Sequence, residues 1–193
     1  MKLFLLRCPR CNHALAPTEN DVVVQCPNCR AAVAIAESGL RLLPAQFAAP
    51  ARPRPPAWLP FWVYHSQVTI QSRKTQGGRS AEREARDFWD QPRRVYIPAW
   101  ACELDEARAL IQQLLEKQPA LRALPPEDGA TFESAVVAPE DGRKLLELVI
   151  VSLEARRSDW MESLSYDLRL DGEALWLLPA ERKDDQWSLL LAG

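Results

Sequence analysis

Two cysteine pairs, Cys8-Pro9-Arg10-Cys11 and Cys26-Pro27-Asn28-Cys29, lie fourteen residues apart near the N-terminus. A C-x2-C turn aims two thiolates at one point, and a second turn brought back by a hairpin completes a tetrahedron around a soft divalent ion. A segment of about forty residues buries too little apolar surface to fold without a staple. Metal binding and folding are therefore expected to be one event. Four protein ligands also close the coordination shell, which leaves no position for activating water.

With proline second in both pairs and turn and β residues between them, the pattern resembles the zinc ribbon over residues 1–43. The resemblance implies a small β module and one structural Zn2+ held by Cys8, Cys11, Cys26 and Cys29. Ribbon knuckles often carry glycine just after the second cysteine, where this chain has Asn12 and Arg30. Asparagine accepts a left-handed turn more readily than arginine does. A rubredoxin-type iron site has similar ligands, but its pairs lie farther apart and it carries an aromatic core. Dithiol redox chemistry calls for a βαβ context with a helix opening at the motif. Paired disulfides call for an oxidising compartment. His13, two positions past Cys11, reads as an exposed turn residue, and the odd cysteine, Cys102, as a small buried side chain.

Residues 32–36 and 40–43 read as a closing hairpin, residues 2–6 as a strand, and 14–25 as the hairpin that delivers the second knuckle. Prolines 44, 50, 53, 55, 56 and 60 predict a semi-rigid spacer over 44–57. Beyond it, residues 58–193 predict an α+β domain: an antiparallel sheet covered by two main helices. Within that domain 61–72 reads as a strand with Trp62, Tyr64, Val68 and Ile70 on one face, followed by a loop over 71–78. A short helix is expected over 80–89 and a strand over 93–102. The strongest helix spans 103–118, stopped by Pro119, and another starts at Pro139 with Leu145, Leu146, Val149 and Leu153 inward. Strands follow at 164–170, 174–179 and 186–191, with Asp171-Gly172 as the first turn.

The function classes narrow less. The formal net charge is -2, and no apolar run approaches the roughly 18–20 residues that would span a bilayer. A four-residue apolar stretch followed by Arg7 is not an export signal, so reduced thiols and a cytoplasmic location are expected. Two histidines, seven glycines, no G-x-S-x-G and no phosphate loop assemble no catalytic group, so no enzyme and no small-molecule substrate is inferred. Residues 1–60 carry seven basic and three acidic side chains, hence +4, which falls to about +2 with four thiolates and a divalent ion. That is thin for a phosphate-binding surface. The expectation is a non-catalytic protein-interaction or scaffold protein. The alternative is a nucleic-acid-associated protein touching phosphates through Arg73, Lys74 and Arg79, with Arg83 and Arg86 beyond.

Overall fold

The computed structural model describes residues 6–76, 80–125, 129–184 and 186–192. After the first knuckle come β1 (Val23–Gln25), β2 (Ala32–Ala36) and β3 (Gly39–Leu43), an antiparallel sheet of order β1-β2-β3. The expected closing hairpin is there, with Gly39 at φ +113° supplying the turn. The region 14–25 is mostly irregular: Arg7 bridges Ala14, and only Val23–Gln25 is a strand. The strand expected over 2–6 falls almost wholly outside the described residues.

The spacer expected over 44–57 is not a spacer along its whole length. Ala45–Ala48 form β4, which runs parallel to Leu175–Leu177 and antiparallel to Ala123–Leu124. Beyond it, the Ala49 amide donates to the Arg122 carbonyl, and Pro50 bridges Leu191. Only about Arg52 to Pro56 remains an open connection, and Arg52 there pairs with Glu181.

The rest of the chain is built around β5 (Ala57–Gln76) and the later β8 (Trp160–Lys183), antiparallel along almost their full lengths. Between them come α1 (Ser80–Trp89), β6 (Arg93–Pro98), α2 (Leu104–Lys117), β7 (Ala123–Leu124) and α3 (Pro139–Ala155). β9 (Gln186–Leu189) folds back on the end of β8, giving a six-stranded sheet with the path β6-β5-β8-β4-β7. The sheet is therefore mixed rather than antiparallel, because β4 joins β8 in parallel. Three helices among the described residues serve it.

Two expected boundaries move. Residues 71–76, expected as a loop, continue β5. The turn expected at Asp171-Gly172 is an irregularity inside one strand: β8 runs straight through, and only its register against β5 slips between His65 and Val63. Gly172 sits at φ +67° with the His65 ring against it, so a Cβ there would lie 3.0 Å from the ring.

Trp62, Tyr64, Val68 and Ile70 do share one face, and they pack with Trp89 of α1, Ile111 and Leu115 of α2, and Leu146 and Ile150 of α3. Val23, Ala32 and Ala34 of the cysteine module join this same core. The opposite face of β5, Leu59, Phe61 and Val63, packs with Trp100, Leu110 and Leu114. α2 thus lies along the β6 edge and feeds both faces. Its C-cap Gln118 takes a left-handed φ of 45°, and the side-chain amide donates to the Arg94 and Leu115 carbonyls. α3 begins with Pro139 at its first turn; Gly142 lets the helix approach Tyr64, whose hydroxyl donates to the Pro139 carbonyl at 2.8 Å.

Candidate metal centre

The two knuckles are near-copies of each other. In the first, the Asn12 amide donates to the Cys8 carbonyl and the Cys8 amide to the His13 carbonyl, each at 2.9 Å. In the second, Arg30 donates to Cys26 and Cys26 to Ala31, again at 2.9 Å. Asn12 and Arg30, the positions where glycine is usual, have φ of 59° and 60°. Both therefore adopt the left-handed turn, and Arg30 does so without the local hydrogen-bonding help that asparagine offers.

The turns bring Cys8, Cys11, Cys26 and Cys29 together, with all four Sγ atoms within 4.8 Å of one another. Cys8 and Cys29 sulfurs lie 3.6 Å apart, and those of Cys11 and Cys26 lie 3.5 Å apart. These are free cysteines. A tetrahedral ion with sulfur ligands at about 2.3 Å spaces them roughly 3.8 Å apart, so the donor set fits such an ion. Leu15, Val24 and Val33 pack around the buried Cys8 and Cys26.

Without a cation, sulfurs this close cannot all ionise. Cys11 is held down to about 6 by the Asn28 side chain and by the backbone at His13. Cys29 is pushed up to about 12: the backbone at Ala31 lowers it, but burial and the sulfurs of Cys11, Cys8 and Cys26 raise it. One thiolate is favoured at the expense of its neighbours. A divalent cation at the centre relieves that conflict by expelling the remaining protons. The arrangement can hold a metal ion and offers it no open position. His13 is exposed and contributes only its carbonyl. Half-buried Cys102 stands apart, its thiol pushed up to about 11 by burial, then by Glu106 and Glu103.

Of the basic residues proposed from sequence, Arg73 is withdrawn into the interior. Arg73 is a correction: its side chain is fully buried, bonded to Asp159 (Nη2–Oδ1 2.7 Å) and to the Glu154 carbonyl (3.0 Å). Its Nε also lies 3.2 Å from the Glu154 carboxylate. That carboxylate accepts from Trp89 Nε1 at 2.7 Å and from Arg157 at 2.7 and 2.9 Å. Arg73 is thus the centre of an internal ionic cluster joining β5, α1 and the end of α3. Burial of a charge demands such partners, and nothing is left over for a phosphate. Lys74 is exposed, and Arg79 lies outside the described residues. Arg86 donates to the Ile70 carbonyl at 2.9 Å and pairs with Glu82.

Sequence reasoning missed an apolar groove of about 170 Å³ between α2 and α3. Leu104, Ala107, Ile111, Leu145, Leu148 and Leu153 line it, with Arg108 and Arg156 among the lining residues. Leu104 is 57% and Leu148 64% exposed, so α2 and α3 each carry apolar side chains beyond the stripe they bury. The signal was available as an apolar arc too wide for one buried face. No helix among the described residues is long and apolar enough to cross a membrane.

No family model, curated protein or solved structure matches this chain.

Proposed function

We propose that this is a non-catalytic protein-interaction module in which one zinc ion staples an N-terminal zinc ribbon, and the α2–α3 groove receives a partner's amphipathic helix. Zinc is the choice among soft ions because four thiolates in a closed tetrahedron, in a chain expected to keep its thiols reduced, suit it best. Cys8, Cys11, Cys26 and Cys29 would hold it, and it would supply folding energy rather than chemistry.

The observation that carries the docking half is the groove itself. Three of the large exposed apolar side chains, Leu104, Leu148 and Val151, belong to α2 and α3, and the first two line the groove. At about 170 Å³ it is smaller than the roughly 300–1,000 Å³ of small-molecule pockets, and suits one or two side chains of a partner helix. The charged groups lining it are arginines, Arg108 and Arg156, which favours an acidic rim on that helix.

The test has two arms. Metal analysis of purified full-length protein is expected to give one zinc per chain. A photo-crosslinking side chain placed at Leu148 is expected to capture a discrete protein after nuclease treatment, in a product lost with Leu104→Asp. The same label at Thr69, on the bare face of β5, is expected to capture nothing comparable. Equal products from both sites, or a product removed by nuclease, would overturn the groove reading.

A further inference from the structure

β8 is bonded on one side only for half its length. β5 pairs with it throughout, but β4 takes up the other side only at Leu175–Leu177, so from Trp160 to Gly172 the outer edge meets no strand among the described residues. Native edges are usually guarded by lysine, proline or a bulge, and residues 160–171 contain neither lysine nor proline. Three register slips lie along it: opposite Gly172 at the far end, between Tyr166 and Ser165 where the extra residue is Gln71 of β5, and at Glu162 near the start, so β8 itself is regular from Ser163 to Asp171. Along it, Leu164, Tyr166, Leu168 and Leu170 form a stripe on the helix-covered face that is only half buried. The intervening Ser165, Asp167, Arg169 and Asp171 are exposed.

We infer that this edge pairs with the same edge of a second copy of the chain, antiparallel, about a two-fold axis through Leu168. The strand's own charges select this register. In an isologous antiparallel pair, positions equidistant from the centre face each other and share a face. Centred on Leu168, Asp167 meets Arg169 of the second copy twice over, Ser165 meets Asp171, and Tyr166 meets Leu170 across the apolar stripe. No like charges oppose. Centred on Asp167 or Arg169, that residue meets its own copy. Centred on Leu170, Arg169 meets Asp171 but Asp167 opposes Glu173. Centred on Tyr166, no opposite-charge pair forms. Antiparallel pairing also sets the two half-buried stripes side by side on one face. The ladder is bounded by β4, which occupies the edge from Leu175, so pairing ends near Ser163 opposite Glu173 and Trp160 of one copy falls against β4 of the other. That gives a 74% exposed tryptophan a surface to cover.

The experiment is sedimentation equilibrium of the full chain and of charge-reversed variants, with circular dichroism as the folding control. The wild type is expected to show a concentration-dependent monomer–dimer equilibrium. Asp167→Arg and Arg169→Asp, each alone, put like charges opposite each other and are expected to weaken dimerisation at least about ten-fold. The two variants mixed, or both changes in one chain, restore opposite charges and are expected to recover the dimer. A monomer at every soluble concentration would overturn the inference, as would a dimer indifferent to the single reversals or one that the double exchange fails to recover.

Discussion

The cysteine module and the β5–β8 sheet stand at opposite ends of how a chain is held. In the module, strands of three to five residues lie beside four sulfurs, and the buried side chains beside them are few: Leu15, Val24 and Val33. In the sheet, strands of 20 and 24 residues carry a core of four buried tryptophans, two tyrosines and the apolar faces of three helices. One is organised by a single centre, the other by area. The two meet where Val23, Ala32 and Ala34 enter the core beside Trp62 and where Val23 bridges Ala135. The difference teaches that local sequence spacing announces a point staple, whereas an area-built core must be inferred from many weak periodicities.

The most forceful way to break that comparison is to take the staple away. Structural zinc sites supply roughly 10–16 kcal/mol in small fingers, so chelation or Cys26→Ser is expected to strip amide protection from β1–β3 while β5 and β8 keep theirs. Hydrogen exchange resolved along the chain checks this; equal loss in both regions would erase the distinction.

Next in size is the sheet's own polar centre. Arg73→Met leaves Glu154 and Asp159 without a shared cation in the interior, and is expected to cost about 3–5 kcal/mol in denaturant titration. The Asp159 carboxyl is held below its usual range by the hydrogen bond from Arg73, against the opposing effect of its burial. A lowered folded-state value stabilises fully above the unfolded value of about 3.9 and loses that contribution as the pH falls through the folded one. Asp159→Asn should therefore flatten the acid limb of the stability curve. An Arg73→Met protein of unchanged stability but reduced nucleic-acid retention would contradict the buried-cluster account.

A smaller effect is expected at Gly142, where a Cβ would lie 2.9 Å from the Tyr64 hydroxyl, itself fixed on the Pro139 carbonyl. Gly142→Ala is expected to destabilise by about 1–2 kcal/mol. In a Tyr64→Phe background the clash is gone and alanine's helix preference, about 1 kcal/mol, should reverse the sign. Smallest is Arg30→Gly, which relieves the left-handed strain of the second knuckle and is expected to gain about 0.5 kcal/mol after glycine's entropy cost, read as a raised melting temperature of the metal-loaded protein.

Much of the local structure is legible in the sequence. The ligand quartet follows from spacing, α2 from apolar periodicity and Pro119, the end of α1 from Pro92, and the closing hairpin from Glu37-Ser38-Gly39. What escaped depends on partners distant in sequence. Ala45–Ala48 looks like a pause in a proline run, and becomes a strand because Leu175–Leu177 lies beside it. Asp171-Gly172 has the composition of a hairpin turn, yet β5 extends past it and pairs on both sides of it, so the chain continues as one strand. Arg73 reads as one more exposed cation, because nothing near it in sequence reveals Glu154 and Asp159.

The parallel contact of β4 with β8 also decides how a load would travel. Because the cysteine module runs into β4 across Pro44, a pull on the N-terminal forty residues would reach the middle of the sheet as shear along Ala45–Ala48. Tension would be shared by neighbouring backbone bonds at once instead of taking up slack in a tether. A partner gripping the module would thus hold the entire molecule by its central strand.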